Sequence, residues 1–325
     1  MTESEPMADT PLPAEFALIA RHFRPLAGPA ALGLADDAAL LAPPPGRELV
    51  LTVDAMIGGV HFLPDDPPDL VARKLLRVNL SDLAAKGATP IGYLMTVAAP
   101  RDTPDDWFAR FAAGLAQDQQ AFGVSLLGGD TTSTPGPVAL SLSILGHVAP
   151  GAMVRRAGAQ PGDGIWVTGT IGDGALGLAA AQGKLADPTG HLRQRYLLPQ
   201  PRVGLAIARV ASAGMDISDG LVQDLGHLCR AGNLAAEIDT AALPLSPPAR
   251  QAGPDWLPTI LTGGDDYELL LAVPPAHAAA LQQIARDAGM PVARIGGFRA
   301  GQPGVMVRGP DGKPLSLPRG GWSHF

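Results

Sequence analysis

Cysteine, glutamate and lysine are scarce in this chain of 325 residues, and long apolar runs are missing. The single cysteine, Cys229, excludes an internal disulfide framework and a cysteine-rich zinc site. No run approaches the length of about 20 apolar residues that a membrane-spanning helix needs. The acidic N-terminal segment lacks the apolar core of a signal peptide. We therefore expect a cytoplasmic protein without a membrane span.

The charge of the chain is negative, with 31 acidic residues against 24 basic ones and a net charge of −7. This balance argues against nucleic acid as the main partner, because proteins that bind it neutralise phosphates with basic residues. Of the acidic residues, 25 are Asp and only 6 are Glu. Asp prefers helix caps, turns and metal-binding loops, so we expect part of this acidity to hold cations.

Length and composition predict two folded domains. Hydrophobic residues make up 46% and charged residues 17% of the chain, which excludes a wholly disordered protein. The 40 glycines and 33 prolines divide the sequence into short alternating helices and strands, which is typical of an α/β or α+β fold. A segment rich in Gly, Pro and Ala at 149–164 predicts domains 1–149 and 150–325. We also predict a strand at 38–41 and a helix at 202–213.

Several aspartates lie at the ends of predicted elements. Asp54 ends one apolar run, and Asp130 ends another after two glycines. Such residues face the mouth of a sheet, where α/β folds bind ligands. The five segments of this kind are 35–37, 52–54, 79–82, 128–132 and 215–220.

The chemistry expected of these aspartates depends on whether they meet in space. Converging carboxylates repel one another, and a divalent cation relieves the repulsion. Oxygen ligands without cysteine favour Mg²⁺, which proteins often bind together with substrate phosphates. Such a site is typical of phosphoryl transfer, where catalysis is mainly positioning and charge neutralisation. Taken singly, however, an Asp beside Gly is more often a turn or helix-cap residue, and the sequence leaves this alternative open.

Two glycine-rich patterns are typical of other nucleotide-binding sites, the P-loop and the dinucleotide-binding turn. The chain has no G-x-x-x-x-G-K-S/T pattern, which argues against a P-loop fold. Gly172–Gly177 fits G-x-G-x-x-G between a predicted strand and helix, but no acidic residue ends a second strand about 20 residues later. A tight turn is therefore the favoured interpretation, with an NAD-binding oxidoreductase as a minor alternative.

Six ordered motifs give the sequence a family resemblance. They are 33–39, 53–54 with 59–62, 79–90, 128–132, 215–221 and 261–269, and the closing segment 321–325 fits as well. Together they resemble the thiamine-monophosphate kinase family of the aminoimidazole ribonucleotide synthetase superfamily. The resemblance implies an N-terminal α/β domain that forms a homodimer through its sheet, followed by a C-terminal α/β domain. It also implies direct, in-line transfer of phosphate from ATP to thiamine monophosphate with Mg²⁺.

The resemblance further implies roles for individual residues. The expected Mg²⁺ ligands are Asp37, Thr52, Val53, Asp54, Asp82, Asp130, Asp216 and Asp219, of which Asp130 and Asp219 are also expected to be catalytic. The ATP site is expected to contain Gly129, Asp130, Arg156 and Ser218. The thiamine-phosphate site is expected to contain His61, Asp265 and Trp322. The chain departs from the family at Asp265 and Gly58, each of which stands where the family usually has Glu.

Two further hypotheses remain beside a kinase. One is another ATP-using enzyme of the same superfamily. The other is a maturation factor of this fold that binds a partner without turnover. The full set of carboxylates favours the kinase, because a scaffold has no need of metal ligands.

Overall fold

The computed structural model of the protein describes residues 14–317 and 320–323, so the motif positions His324 and Phe325 lie outside the described residues. Two sheets, each covered by helices, form two bodies that pack against each other. This arrangement confirms the predicted two-domain α/β class.

The first body is a four-stranded sheet with long helices on one face. The described part of the chain begins with α1 (Ala14–Leu18) and continues through β1 (Glu48–Ile57), α2 (Pro68–Ala85), β2 (Thr89–Ala99), α3 (Asp105–Phe122), β3 (Ser125–Ser133) and β4 (Ala139–Val148). The strand order is β1-β4-β2-β3. Buried and more exposed residues alternate along β1 and β4, so one face packs on α2 while the other faces outward. Helix α3 packs beside α2 and contributes to the same hydrophobic core.

The second body is a six-stranded sheet in the order β10-β7-β9-β5-β8-β6. Its strands are β5 (Gly164–Thr168), β6 (Ala213–Asp216), β7 (Ala235–Asp239), β8 (Leu269–Val273), β9 (Val292–Arg299) and β10 (Gly304–Arg308). Its helices are α4 (Asp173–Ala181), α5 (His191–Leu197), α6 (Leu221–Gly232), α7 (Pro247–Ala252), α8 (Leu257–Thr262) and α9 (Ala278–Asp287). The neighbouring strands β5 and β8 lie inside this sheet and are buried along their whole length. Their largely apolar sequences are typical of strands that are covered on both faces. Within the described ranges, no helix has both the length and the apolar character needed to cross a bilayer.

Helix α2 belongs to both bodies. Its last residues, Ala84 and Ala85, pack in one hydrophobic cluster with Leu271 of the second sheet. Its buried Arg77 donates a hydrogen bond to the carbonyl of Pro199, at 2.9 Å. Polar side chains at the carboxyl end of α2 therefore lie at the junction of the two sheets.

Two predicted elements are wrong. The segment 38–41 forms no strand; its Leu40 is 77% exposed, and no sheet of the described chain includes it. The segment 202–213 is not an α-helix but an irregular stretch of turns with one 3₁₀ turn at Ile207–Arg209. Its apolar side chains pack between the two bodies, and its last residue already pairs with β8 as the start of β6. Tertiary packing thus overrides the helical spacing of the sequence.

Candidate active site

A large cleft lies between the two bodies, with a volume of 1040 Å³. Its walls come from β1, α2, the loop after β6 and the loop before β8. Most of the predicted site residues line it: Thr52, Val53, Asp54, His61, Asp82, Arg156, Asp216, Ser218, Asp219, Asp265 and Trp322. Segments that are distant in the sequence therefore meet at one place. This convergence is the observation that separates a functional interpretation from one of isolated turn residues.

Four of these residues, Asp54, Asp82, Asp216 and Asp219, form what we call the acidic cluster. The Thr52 hydroxyl donates to Oδ2 of Asp82 at 2.6 Å, which links β1 to α2. Because Asp54 and Asp82 come from the first body and Asp216 and Asp219 from the second, neither sheet builds the cluster alone.

Two buried polar residues of α2 support this cluster. The Ser81 hydroxyl donates to Oδ2 of Asp216 at 2.7 Å, across the junction of the two bodies. Oδ1 of Asn79 accepts the backbone N–H of Asp54 at 3.0 Å. Both side chains are fully buried. Neither residue is among the predicted site residues, although the motif 79–82 contains both of them.

Burial and mutual repulsion shift the proton affinities of the acidic cluster. Burial, followed by the charges of Asp82 and Asp219, raises the pKa of Asp54 to about 6. Burial and the charge of Asp82 raise the pKa of Asp216 well above its usual value. A carboxyl group with a raised pKa is destabilised when it ionises without a cation nearby. This oxygen-rich, cysteine-free set has the donor chemistry that Mg²⁺ prefers.

The loop after β6 is held by Asp224, which is not among the predicted site residues. Oδ2 of Asp224 accepts hydrogen bonds from the backbone N–H groups of Ser218, Asp219 and Gly220, each at 3.1 Å. Burial, then the charge of Asp219, raises the pKa of Asp224 to about 7. An acidic residue in the first turn of a helix is the only signal in the sequence for this role.

Basic residues line the cleft beside the acidic cluster. They are Lys86, Arg155 and Arg156, which we call the basic group. The Lys86 ammonium donates to the carbonyl of Gly214 at 3.0 Å. Burial and the charge of Arg156 lower the pKa of Lys86. A cleft with acidic and basic residues side by side suits a ligand that brings both phosphate oxygens and a cation.

The residues predicted to bind thiamine phosphate, His61, Asp265 and Trp322, also line the cleft. Nδ1 of His61 accepts the backbone N–H of Ile57 at 3.0 Å, so the neutral ring carries its proton on Nε2. The backbone N–H of Trp322 donates to the carbonyl of Asp219 at 2.9 Å, which places the indole at the rim beside the acidic cluster.

Three predicted residues, Asp37, Gly129 and Asp130, lie outside the residues that line the cleft. Gly129 and Asp130 lie in β3, and two strands separate β3 from β1. Three strand spacings correspond to roughly 14 Å. Gly129 has a packing reason to be glycine, since a Cβ there would lie 1.8 Å from the carbonyl oxygen of Met95. The exposed Asp37 lies in the segment that precedes β1.

The glycine-rich pattern at 172–177 forms a tight turn at the start of α4. The N–H groups of Gly172 and Gly174 donate to the two carboxyl oxygens of Asp266, at 2.7 and 3.0 Å. Asp266 is fully buried. The amides that a dinucleotide phosphate would need are therefore occupied by a side chain, which argues against a dinucleotide site here.

Comparison with known proteins relates this cleft to a family. The model of the AIR synthase related protein, N-terminal domain, matches residues 35–148, and that of the C-terminal domain matches residues 160–308. A thiamine-monophosphate kinase of Caulobacter vibrioides is 47% identical, over 96% of this chain and 91% of its own. The chain belongs to the thiamine-monophosphate kinase family. Its relative in Escherichia coli K12 is 41% identical, over 96% of this chain and 98% of its own.

Solved structures of the family share this fold. The thiamine-monophosphate kinase of Stenotrophomonas maltophilia K279a is 40% identical, with a TM-score of 0.82 over 93% of this chain and 98% of its own. AaThiL, solved in complex with AMPPCP and TMP, is 31% identical, with a TM-score of 0.76 over 89% of this chain and 91% of its own. Hydrogenase maturation protein HypE, at 20% identity and a TM-score of 0.76, shares the fold alone.

The raised pKa of Asp54 predicts how the metal-free protein responds to pH. Its folded-state pKa of about 6 lies above the ordinary value of 3.8, so the folded state holds this proton more tightly than the unfolded chain. Stability from this group is therefore present at low pH and is lost as the pH rises from about 4 to about 6. Asp54→Asn should become more stable relative to the wild type over this interval, by up to about 3 kcal/mol.

This difference can be measured by urea denaturation in EDTA between pH 4 and pH 8. Asp102→Asn, an exposed turn residue, is the control and should track the wild type at every pH. A stability difference between Asp54→Asn and the wild type that stays constant across this range contradicts the shift.

Proposed function

We propose that this protein transfers the γ-phosphoryl group of ATP to thiamine monophosphate, giving ADP and thiamine diphosphate, with Mg²⁺ as the required cation. The single observation that carries the proposal is the convergence of the acidic cluster and the basic group in one cleft of a chain that belongs to this family. AaThiL, a member with a similar fold, binds AMPPCP and TMP. We propose cytoplasmic activity and a division into domains 1–149 and 150–325, as predicted from the sequence.

The acidic cluster fits Mg²⁺ by its donor chemistry. Its carboxylates and the carbonyl of Val53 are oxygen donors, and Asp54 and Asp216 resist ionisation when no cation is near. We assign the metal to Asp54, Asp82, Asp216 and Asp219, with Thr52 and Val53 at its edge. When bound, Mg²⁺ supplies positive charge that neutralises the phosphate oxygens.

The other residues of the cleft position the two substrates. Arg156 and its neighbours in the basic group bind phosphate oxygens of ATP, and Ser218 contributes a hydrogen bond from the loop that Asp224 holds. An oxygen of the acceptor phosphate attacks the γ-phosphorus, a new P–O bond forms, and the bond to the β–γ bridging oxygen breaks as ADP leaves. His61, Asp265 and Trp322 orient the acceptor, and the indole offers a stacking face to the cationic thiazolium or the pyrimidine.

We also propose a homodimer formed through the outer face of the first sheet. This face exposes Leu51 by 67%, Val53 by 59% and Leu94 by 43%, an apolar surface that a second copy would cover. Asp130 lies on the same face, because its partner Thr96 is paired through Ser141 with Ala55 of β1. Asp130 lies far from β1 of its own chain and on the outer face that the second copy would cover. Both features support a role for Asp130 in the cleft of the second copy.

HypE shares the fold without implying the function. A maturation factor would bind a partner through the same architecture and show no turnover of thiamine monophosphate. The acidic cluster favours a kinase, because repelling carboxylates raise the free energy of the fold unless a cation is bound.

Turnover tests the proposed function directly. The purified protein should convert ATP and thiamine monophosphate to ADP and thiamine diphosphate in the presence of Mg²⁺ and should stop in EDTA. Asp82→Asn, which keeps an oxygen to accept from Thr52 but removes the charge, should lower kcat by about 100-fold or more. Asp102→Asn should retain wild-type rates. A folded wild-type protein that binds ATP and forms no thiamine diphosphate would rule out the reaction.

Mixed dimers test the placement of Asp130. If each cleft uses Asp82 of one copy and Asp130 of the other, combining Asp82→Asn and Asp130→Asn chains restores one intact cleft in every mixed dimer. Random mixing of the two inactive variants should then recover about a quarter of the wild-type activity, because half of the dimers are mixed. Activity that stays at the level of the single variants after refolding together shows that both residues act from the same chain or that Asp130 has no such role.

A further inference from the structure

A buried lysine lies at the acceptor end of the cleft. Lys74, on α2, lines the cleft, but its side chain is only 4% exposed. Lysine is rarely buried to this degree without partners, because removing an ammonium group from water is costly. The contacts of the Lys74 side chain therefore indicate its role.

The partners of Lys74 come from both walls of the cleft. Its ammonium group donates to Oδ2 of Asp265 at 2.8 Å and approaches the carbonyl oxygen of His61 at 3.4 Å. Asp265 belongs to the second body and His61 to the first. The two residues are both expected to contact thiamine monophosphate. One side chain thus connects the two halves of the acceptor end.

An aromatic ring occupies another side of the ammonium group. Lys74 Nζ lies 4.1 Å from the centre of the Tyr196 ring, in a cation–π contact. The Tyr196 hydroxyl donates to Asp66 at 2.8 Å, and the same carboxyl oxygen accepts the backbone N–H of Leu63, also at 2.8 Å. These bonds tie the ring to the loop that carries His61. The ammonium group is thereby held by three partners and directed toward Asp265 rather than toward open space.

The ammonium group of Lys74 holds the carboxylate of Asp265 in one direction. The backbone of Asp265 has φ of +70°, a region that residues other than glycine rarely occupy, and its N–H donates to the carbonyl of Ser218 at 3.0 Å. Its side chain is 26% exposed at the cleft. The backbone of Asp265 is therefore fixed, and the ion pair with Lys74 fixes the direction of its carboxylate.

We propose that Lys74 is a positioning residue for the acceptor substrate, which acts by orienting Asp265 against the His61 loop. The inference rests on the proposed function, since it concerns the same acceptor site. Loss of Lys74 should therefore weaken the binding of thiamine monophosphate and leave the binding of ATP, at the basic group, unaffected.

A double-mutant cycle tests this role, with wild type, Lys74→Met, Asp265→Asn and the double variant. Lys74→Met should raise KM for thiamine monophosphate by about tenfold and change KM for ATP by less than about twofold. If Lys74 acts through Asp265, the same change in the Asp265→Asn background should add less than about twofold. Lys184→Met, an exposed lysine far along the chain, is the matched control and should leave both KM values unchanged.

Calorimetric titration with thiamine monophosphate, in Mg²⁺ and without ATP, separates this inference from the proposed reaction. Weaker binding by Lys74→Met supports the positioning role, whether or not turnover occurs. Equal affinity of wild type and Lys74→Met, or a full tenfold effect in both backgrounds, overturns it. If Lys74→Met does not fold, Lys74→Gln takes its place, because its shorter, uncharged side chain removes the ion pair with Asp265, and the same weaker binding of thiamine monophosphate is expected. Failure of the wild type to make thiamine diphosphate overturns the proposed reaction instead.

Discussion

The burial of mutually repelling carboxylates at the junction of two folded bodies is the constraint on which the rest of this structure depends. Asp82 comes from the first body and Asp216 from the second, and the fold brings their charges together. Burial, and after it the charge of Asp82, raises the pKa values of Asp54 and Asp216, so ionising these groups without a cation is unfavourable. The buried carboxylates therefore favour the binding of a cation at the place where phosphates are expected to react.

Helix α2 is the element that makes this arrangement possible. It packs on the first sheet with one face and joins the core of the second body at its carboxyl end. The same helix carries Lys74 at the acceptor end of the cleft and Asp82 at the acidic cluster. In the proposed reaction, one helix therefore sets the separation of the two substrate positions, and in-line transfer requires such a fixed geometry.

The sequence predicted the alternating architecture, and most of the predicted site residues line the cleft, because short motifs at element ends carry their own local chemistry. The motif 79–82 is an example, since it contains a metal-ligand candidate together with the Ser81 and Asn79 that support it. Strand order has no such local signal, and the position of Asp130 three strand spacings away from β1 follows only from the topology. Lys74 was missed because its role depends on a partner 191 residues later in the chain. The prediction of a helix at 202–213 was wrong for a related reason, because packing between the two bodies determines the conformation of this segment.

Proton release on metal binding tests the central claim most directly. Mg²⁺ can be titrated into the metal-free protein at pH 6 by calorimetry, in two buffers that differ in ionisation enthalpy. We predict that Mg²⁺ binds with net release of protons, because Asp54 and Asp216 must ionise to bind the cation, and that the release is smaller in Asp54→Asn. Binding with no proton release, or a release that Asp54→Asn leaves unchanged, would contradict the claim that these repelling carboxylates form the cation site.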